Sequence, residues 1–298
     1  MYSANFRYHR ATRFEEASAA LVSFGHNAKF IAGGQSLIPL LKLRLLQPSD
    51  LIDLSGIADA DHIEEIDRSL EIGALARHAV VGKSNIAARY PIISDCALGI
   101  ADVQVRNMGT IGGSLAGADP NCCWPTLLVA LDARVHCIGP SKTREQSVRE
   151  LLTDAYTPNL EFGELIDRVI IDKQALLGFG TFVAFKRCAP AYPTASCALS
   201  LTYDGDRVAK VRMGFGCVAQ TPLAFDAANE ILRGRALSKD LIADVAQLAS
   251  EFVDPISDNK GTEVYKRSLV KGLVRRAFDI VERRRLGSEV KETHFYYG

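Results

Sequence analysis

Two glycine pairs constrain this 298-residue chain more than any other feature. One lies in Ala32-Gly33-Gly34-Gln35-Ser36 with Leu37 behind it, the other in Thr110-Ile111-Gly112-Gly113-Ser114. Adjacent glycines reach backbone conformations closed to other residues and allow close approach, and their N–H groups can form an anion-binding nest. Each pair also carries a small hydroxyl residue. Residues 29–32 read as a short strand, and 37–45 as an apolar helix in which Pro39 is tolerable because it lies near the start. A helix N-terminus after such a loop adds partial positive charge, so a diphosphate bridging both loops would explain why neither brings its own Lys or Arg. The other reading is that both are plain tight turns.

The rest of the chain supplies the framework. Thr12 with Glu15 suggests a capping box opening a helix through Phe24, stopped by Gly25, and 50–54 reads as a strand. Strands at 70–72, 133–138 and 169–171 alternate with helical stretches at 80–89 and 91–100, and the second glycine pair forms a turn among them. From residue 179 an antiparallel sheet is expected, with strands 181–186, 195–202 and 209–217 and a hairpin turn at Asp204-Gly205. Ser238 caps a helix through Phe252, and Thr262 opens a longer one to about Arg285, stopped by Gly287. The expected partition is 1–57, an N-terminal α/β subdomain; 58–175, a second α+β subdomain; and 176–298, a sheet-plus-helices domain.

Composition narrows the classes. Thirty-five Lys and Arg balance 35 Asp and Glu, which argues against a nucleic-acid binder. Seven cysteines in irregular spacing read as reduced intracellular thiols. Residues 1–10 hold no apolar leader core, and the most apolar stretch, 30–46, is broken by Lys42 and Arg44, so a cytoplasmic protein without a membrane span is expected. Zincin, zinc-ribbon, P-loop and serine-elbow motifs are all missing. The histidines (His9, His26, His62, His78, His136, His294) show no ligand spacing and read as surface or core residues. Gly214-Phe215-Gly216-Cys217-Val218-Ala219 matches a dinucleotide fingerprint by letter. However, Gln220-Thr221-Pro222 follows where a helix should start, so a strand end with a glycine bulge is the better reading.

Further residues carry a resemblance. Ile31 to Pro39 with Lys42-Leu43-Arg44, and Arg106-Asn107-Met108-Gly109-Thr110-Ile111-Gly112-Gly113-Ser114, resemble the two flavin loops of the FAD-binding medium subunit of molybdenum hydroxylases, the xanthine dehydrogenase and aerobic carbon monoxide dehydrogenase family. The likeness extends through Asp119-Pro120, Gly163-Glu164-Leu165, Phe185-Lys186-Arg187 and Tyr192-Pro193-Thr194-Ala195, nearly the whole chain. It implies an α+β fold: the two-subdomain FAD-binding fold of the vanillyl-alcohol oxidase type, followed by a C-terminal antiparallel sheet with a helical bundle. By the same resemblance Ala32, Gly33, Gly34, Gln35, Ser36 and Leu37, with Thr110, Ile111, Gly112, Gly113 and Ser114, hold the diphosphate of a non-covalent FAD. Leu165 lies against the isoalloxazine, Tyr192 flanks it, and Lys186 approaches its polar edge. Read by themselves, those three are equally well a core leucine, a buried tyrosine and a surface lysine on a strand.

The chain departs from the family pattern twice. Gln35 stands where the family commonly has His. Cys123 replaces an Asp that bonds the flavin ribityl hydroxyls, and thiols are poor hydrogen-bond partners; Asp119, four residues earlier, substitutes only if the loop runs differently. Cys122 and Cys123 with Cys137 fall short of the four thiolates of an iron–sulfur cluster and read as free buried thiols. No metal site or catalytic side chain is expected on this chain. The resemblance implies an electron-transfer flavoprotein. It would take electrons from [2Fe–2S] centres of a small iron–sulfur subunit, fed by a large subunit with a molybdenum cofactor, and pass them to an external acceptor (quinone, NAD or oxygen). The alternatives are a free-standing FAD oxidase or dehydrogenase and a flavin-free scaffold subunit.

Overall fold

The computed structural model describes residues 2–296, arranged on three main sheets. The first is parallel, with Asp50–Asp53 between Arg7–Arg10 and Ala28–Ile31. Arg7–Arg10 is too polar to show strand periodicity and was not expected. It is held by charge: Arg7 Nε and Nη2 each lie 2.8 Å from the Asp50 carboxylate, and His9 Nε2 lies 2.7 Å from it. Hydrogen bonding from Arg7 keeps that carboxyl well below the usual range. Helix Phe14–Phe24 ends at Gly25 (φ +83°), as expected. Its N-terminus differs from the expected box: Arg13 is the N-cap, and Thr12 bonds Glu16 through both N and Oγ1 at 2.8 Å, leaving Glu15 beside Arg13.

The second sheet is antiparallel, in the order Ile63–Ile66, Ser69–Gly73, Leu165–Asp172, Arg134–Ile138, Thr143–Ser147. The helix expected over 80–89 is split into His78–Lys83 and Asn85–Arg89, because Ser84 is extended (ψ 160°) and caps the second through Ala87 N. Helix Pro91–Leu98 follows. The third sheet runs Leu223–Ala224, Arg207–Gly216, Pro193–Asp204, Phe179–Lys186, His294–Tyr296. Its first four strands are antiparallel. The last runs parallel to Phe179–Lys186, so the sheet is mixed, not the purely antiparallel one expected. Three polar-flanked residues carry no readable strand signal in the sequence. Helices Ala227–Leu232, Lys239–Phe252 and Glu263–Arg285 complete this part, with Ser238 and Thr262 capping the last two as expected.

Helix Cys123–Ala130 is buried along its whole length and joins the second and third sheets into one core, a buried cluster that includes Trp124, Leu127, Phe182 and Ala198. The bulge expected at Gly214 and Gly216 is not there. Both glycines face this helix instead: a Cβ on Gly216 would lie 1.9 Å from Thr126 Oγ1, and one on Gly214 2.9 Å from Ala130 Cβ. They permit close strand–helix approach. No helix among the described residues is long and apolar enough to cross a membrane.

Asp95 and Arg284 form a second tie. Arg284 Nη1 and Nη2 reach the Asp95 oxygens at 2.7 and 2.9 Å, and also donate to Gly180 O and Val290 O. Asp95 further accepts from Thr181 Oγ1 and Phe182 N. Burial pushes the Asp95 carboxyl up despite the guanidinium beside it. Replacing Arg284 by Met would strand a buried carboxylate; thermal unfolding is expected to show a loss of about 3–5 kcal/mol, and an unchanged melting curve would contradict this role.

Candidate functional site

Strand Ala28–Ile31 delivers the chain to the first glycine pair, and helix Leu37–Lys42 leaves it. Gly34 has φ +71°, a conformation that disfavours any side chain. Among the described residues no protein group accepts from the N–H of Gly33, Gly34, Gln35 or Ser36, whereas Ile38 N already bonds Gly34 O at 2.8 Å. Gln35 folds back, its Nε2 donating to Gly33 O at 3.0 Å, which stiffens the loop. Ala32 to Gln35 and Leu37 are half-buried and Ser36 is exposed.

The second glycine pair is not the expected turn but the first turn of helix Ile111–Ala116. Its amides are engaged: Ile111 N with Ala76 O (3.1 Å), Gly112 N with Ala74 O (2.9 Å), Gly113 N with the Thr110 Oγ1 cap (3.1 Å), Ser114 N with Thr110 O (3.1 Å). Thr110, Ile111 and Gly112 are buried, and Gly113 and Ser114 reach the surface. This segment therefore forms a wall, and the free amides belong to the first loop.

The two segments touch. A Cβ on Gly33 would lie 2.1 Å from Met108 O and 2.8 Å from Gly109 Cα, so only glycine lets the first loop rest on the backbone that leads into the second. Four unpaired amides in a row beside a helix start fit an anionic diphosphate. Gly33→Ala is expected to part the loops and abolish FAD retention in the purified protein with its far-UV circular dichroism unchanged; full retention would mean that the loops are misassigned.

The remaining expected residues divide. Ser114 lies against Cys122, and beyond it Asp119 Oδ1 accepts from Asn121 N and Nδ2 at 2.9 Å and from Tyr156 OH at 3.4 Å. Asn121 Oδ1 in turn accepts from Lys260 Nζ, which also donates to Pro193 O (3.2 Å) and lies 5.6 Å from the centre of the Tyr192 ring. Tyr192 is 48% exposed, not buried. Cys123 is buried, and burial pushes its thiol up to about 11, so it stays protonated at neutral pH. Lys186, 1% exposed on its strand, is no surface lysine: Nζ donates to Gly99 O and to Ala189 O (3.3 Å), and burial lowers its pKa. Leu165, 4% exposed, belongs to the core of the first sheet, against which Leu75 and Ala32 of the first glycine loop also pack. All seven cysteines are free, and among the described residues no group of three or more His, Cys, Asp and Glu is placed to hold a metal ion.

Two histidines without a sequence signal border this region. His294, on the C-terminal strand, has a buried Nε2 without a partner among the described residues; burial, Lys186 and Arg106 lower its pKa to about 3. His78 is 3% exposed and accepts from Trp124 Nε1 at 3.0 Å; burial and then Arg106 lower it to about 4. In the unfolded chain His78 binds a proton near pH 6.5, but in the folded one only near 4, so the stability it confers is present above 6.5 and is lost as pH falls between these values. The apoprotein is expected to lose about 2 kcal/mol between pH 7 and pH 5 from this group. In urea titrations His78→Gln should remove that part of the pH dependence, and an identical dependence would refute the assignment.

Comparison with known proteins agrees with this geometry. The family described as "FAD binding domain in molybdopterin dehydrogenase" matches residues 4–173, and "CO dehydrogenase flavoprotein C-terminal domain" matches 180–281. The carbon monoxide dehydrogenase medium chain of Afipia carboxidovorans is 36% identical over 280 residues, 94% of this chain and 97% of that one. The glyceraldehyde dehydrogenase medium chain of Sulfolobus acidocaldarius is 32% identical, over 93% and 99% of the two chains. Among solved structures, a chain of the Cu,Mo-CO dehydrogenase in its cyanide-inactivated form superposes with a TM-score of 0.91 at 34% identity, covering 95% of this chain and all of that one. A chain of quinoline 2-oxidoreductase from Pseudomonas putida 86 gives 0.89 at 30% identity, covering 95% and 99%. The chain belongs to the FAD-binding subunits of molybdenum hydroxylases. Within that family it is the electron-transfer flavoprotein component of an oxidoreductase of the carbon monoxide dehydrogenase type, on the two-subdomain FAD fold expected from the resemblance.

Proposed function

We propose that this chain works in the cytoplasm between a small iron–sulfur subunit with [2Fe–2S] clusters and a large subunit with a molybdenum cofactor, and hands their electrons to an external acceptor. The observation that carries the reading is the row of unpaired amides from Gly33 to Ser36, set against the Met108–Gly109 backbone. Those amides would hold the FAD diphosphate, with Gly113 and Ser114 as the opposite wall. Lys186, fixed by two carbonyls, would stand at the polar edge of the ring, and Tyr192, steadied by Lys260, would flank it. Asp119 would supply the acceptor that Cys123 cannot, since a protonated thiol bonds hydroxyls poorly. Leu165 would lie against the isoalloxazine from the core on which Ala32 also packs. Bound FAD supplies redox chemistry in one- and two-electron steps. The chain's own residues bind and orient the cofactor; none is needed as a general base, because the substrate would be oxidised on the large subunit.

Balanced charge suits a subunit whose surfaces meet protein partners. Isolation of the native assembly tests the proposal. One FAD per chain, co-purifying with iron, molybdenum and two further subunits, is the expected composition. A lone chain that oxidises a small substrate by itself would instead make it a free-standing oxidase or dehydrogenase, and a colourless chain in an intact assembly would make it a scaffold.

A further inference from the structure

Trp124 and His78 form a buried pair whose chemistry leaves one group over. An indole N–H only donates, so its 3.0 Å contact makes His78 Nδ1 the acceptor and puts the imidazole proton on Nε2. Burial keeps the ring uncharged at neutral pH. Nε2–H must therefore donate, yet no acceptor for it exists among the described residues. His78 is 3% exposed, and its Nε2 edge is not sealed off, so a partner from outside the chain can reach this donor.

Its position tells where the acceptor comes from. A Cβ on Gly109 would fall 2.7 Å from Nε2, and Gly109 is also the residue on which Gly33 rests. The His78 backbone is fastened there too, N–H to Gly109 O at 3.0 Å. The unpaired donor thus sits where the two glycine segments meet. We propose that His78 Nε2–H donates a hydrogen bond to an oxygen of the diphosphate–ribityl segment of FAD, with Trp124 as the positioning residue that selects the tautomer. The inference rests on the flavin reading above. It also gives the site a polar contact independent of Cys123.

FAD titration of the full-length chain, with His78→Phe and His78→Gln beside the wild type, tests it. Gln places an amide N–H near the Nε2 position and Phe does not. Loss of one hydrogen bond is expected to raise the Kd about tenfold in His78→Phe, with Gln restoring it to within about threefold. Equal binding by the Phe variant overturns the proposal, and so does an equal loss in both variants, which would mean packing alone. Should His78→Phe not fold, 15N-histidine NMR of the wild type decides. The His78 Nε2 resonance should be protonated without FAD and should shift on saturation; a resonance that FAD does not move means that only water takes the donor, and refutes the idea. Failure of the wild type itself to bind FAD would count against the flavin reading, not against the role of His78 within it.

Discussion

The contact of Gly33 with the Met108–Gly109 backbone is the point on which the site depends. It is backbone against backbone, with no room for a single carbon between. Each side arrives by a different route: the parallel strand Ala28–Ile31 delivers Gly33, and the run of short helices over the second sheet delivers Met108 and Gly109. Without it the unpaired amides would face open solvent, where water satisfies them, and a diphosphate would gain little. With it the loop rests on the backbone that leads into Thr110 to Ser114, whose own amides are already committed to Ala74, Ala76 and Thr110. One segment offers donors and the other supplies shape.

That division was not legible in the sequence. Both glycine pairs carry a hydroxyl residue, so local composition cannot tell a loop with free amides from a helix start with satisfied ones. The difference lies in Ala74 and Ala76, some 35 residues away in the chain, whose carbonyls take the Ile111 and Gly112 amides. The long helices with Ser238 and Thr262 caps and the three main hairpin strands were readable, because caps and alternation are local. The strands Arg7–Arg10 and His294–Tyr296 were not. One is held by the buried Asp50 carboxylate and the other by pairing with Phe179–Lys186, and neither cause leaves a periodic trace. His78 and His294 were hidden for a related reason: only their tertiary neighbours make them unusual.

The polar interior between the second and third sheets follows from the same architecture. Helix Cys123–Ala130 fills the space between them, and around its start stand Cys123, Lys186 and the Asn121–Lys260 link. The Asp95–Arg284 pair ties helix Pro91–Leu98 to Gly180 and to the C-terminal segment, which holds in register the strand that carries Lys186. Lys186 in turn bonds Gly99 O, at the end of that helix. Parts of the chain matched by two different family descriptions therefore share the residues that would surround the flavin ring.

Amide hydrogen exchange, followed residue by residue with and without FAD, tests the central claim most directly. The amides of Gly33, Gly34, Gln35 and Ser36 should exchange freely in the apoprotein and become protected when FAD binds, while those of Ile111 to Ser114 should be protected in both states. Rapid exchange of 111–114 in the apoprotein, with protection appearing there and not at 33–36 on adding FAD, would contradict it.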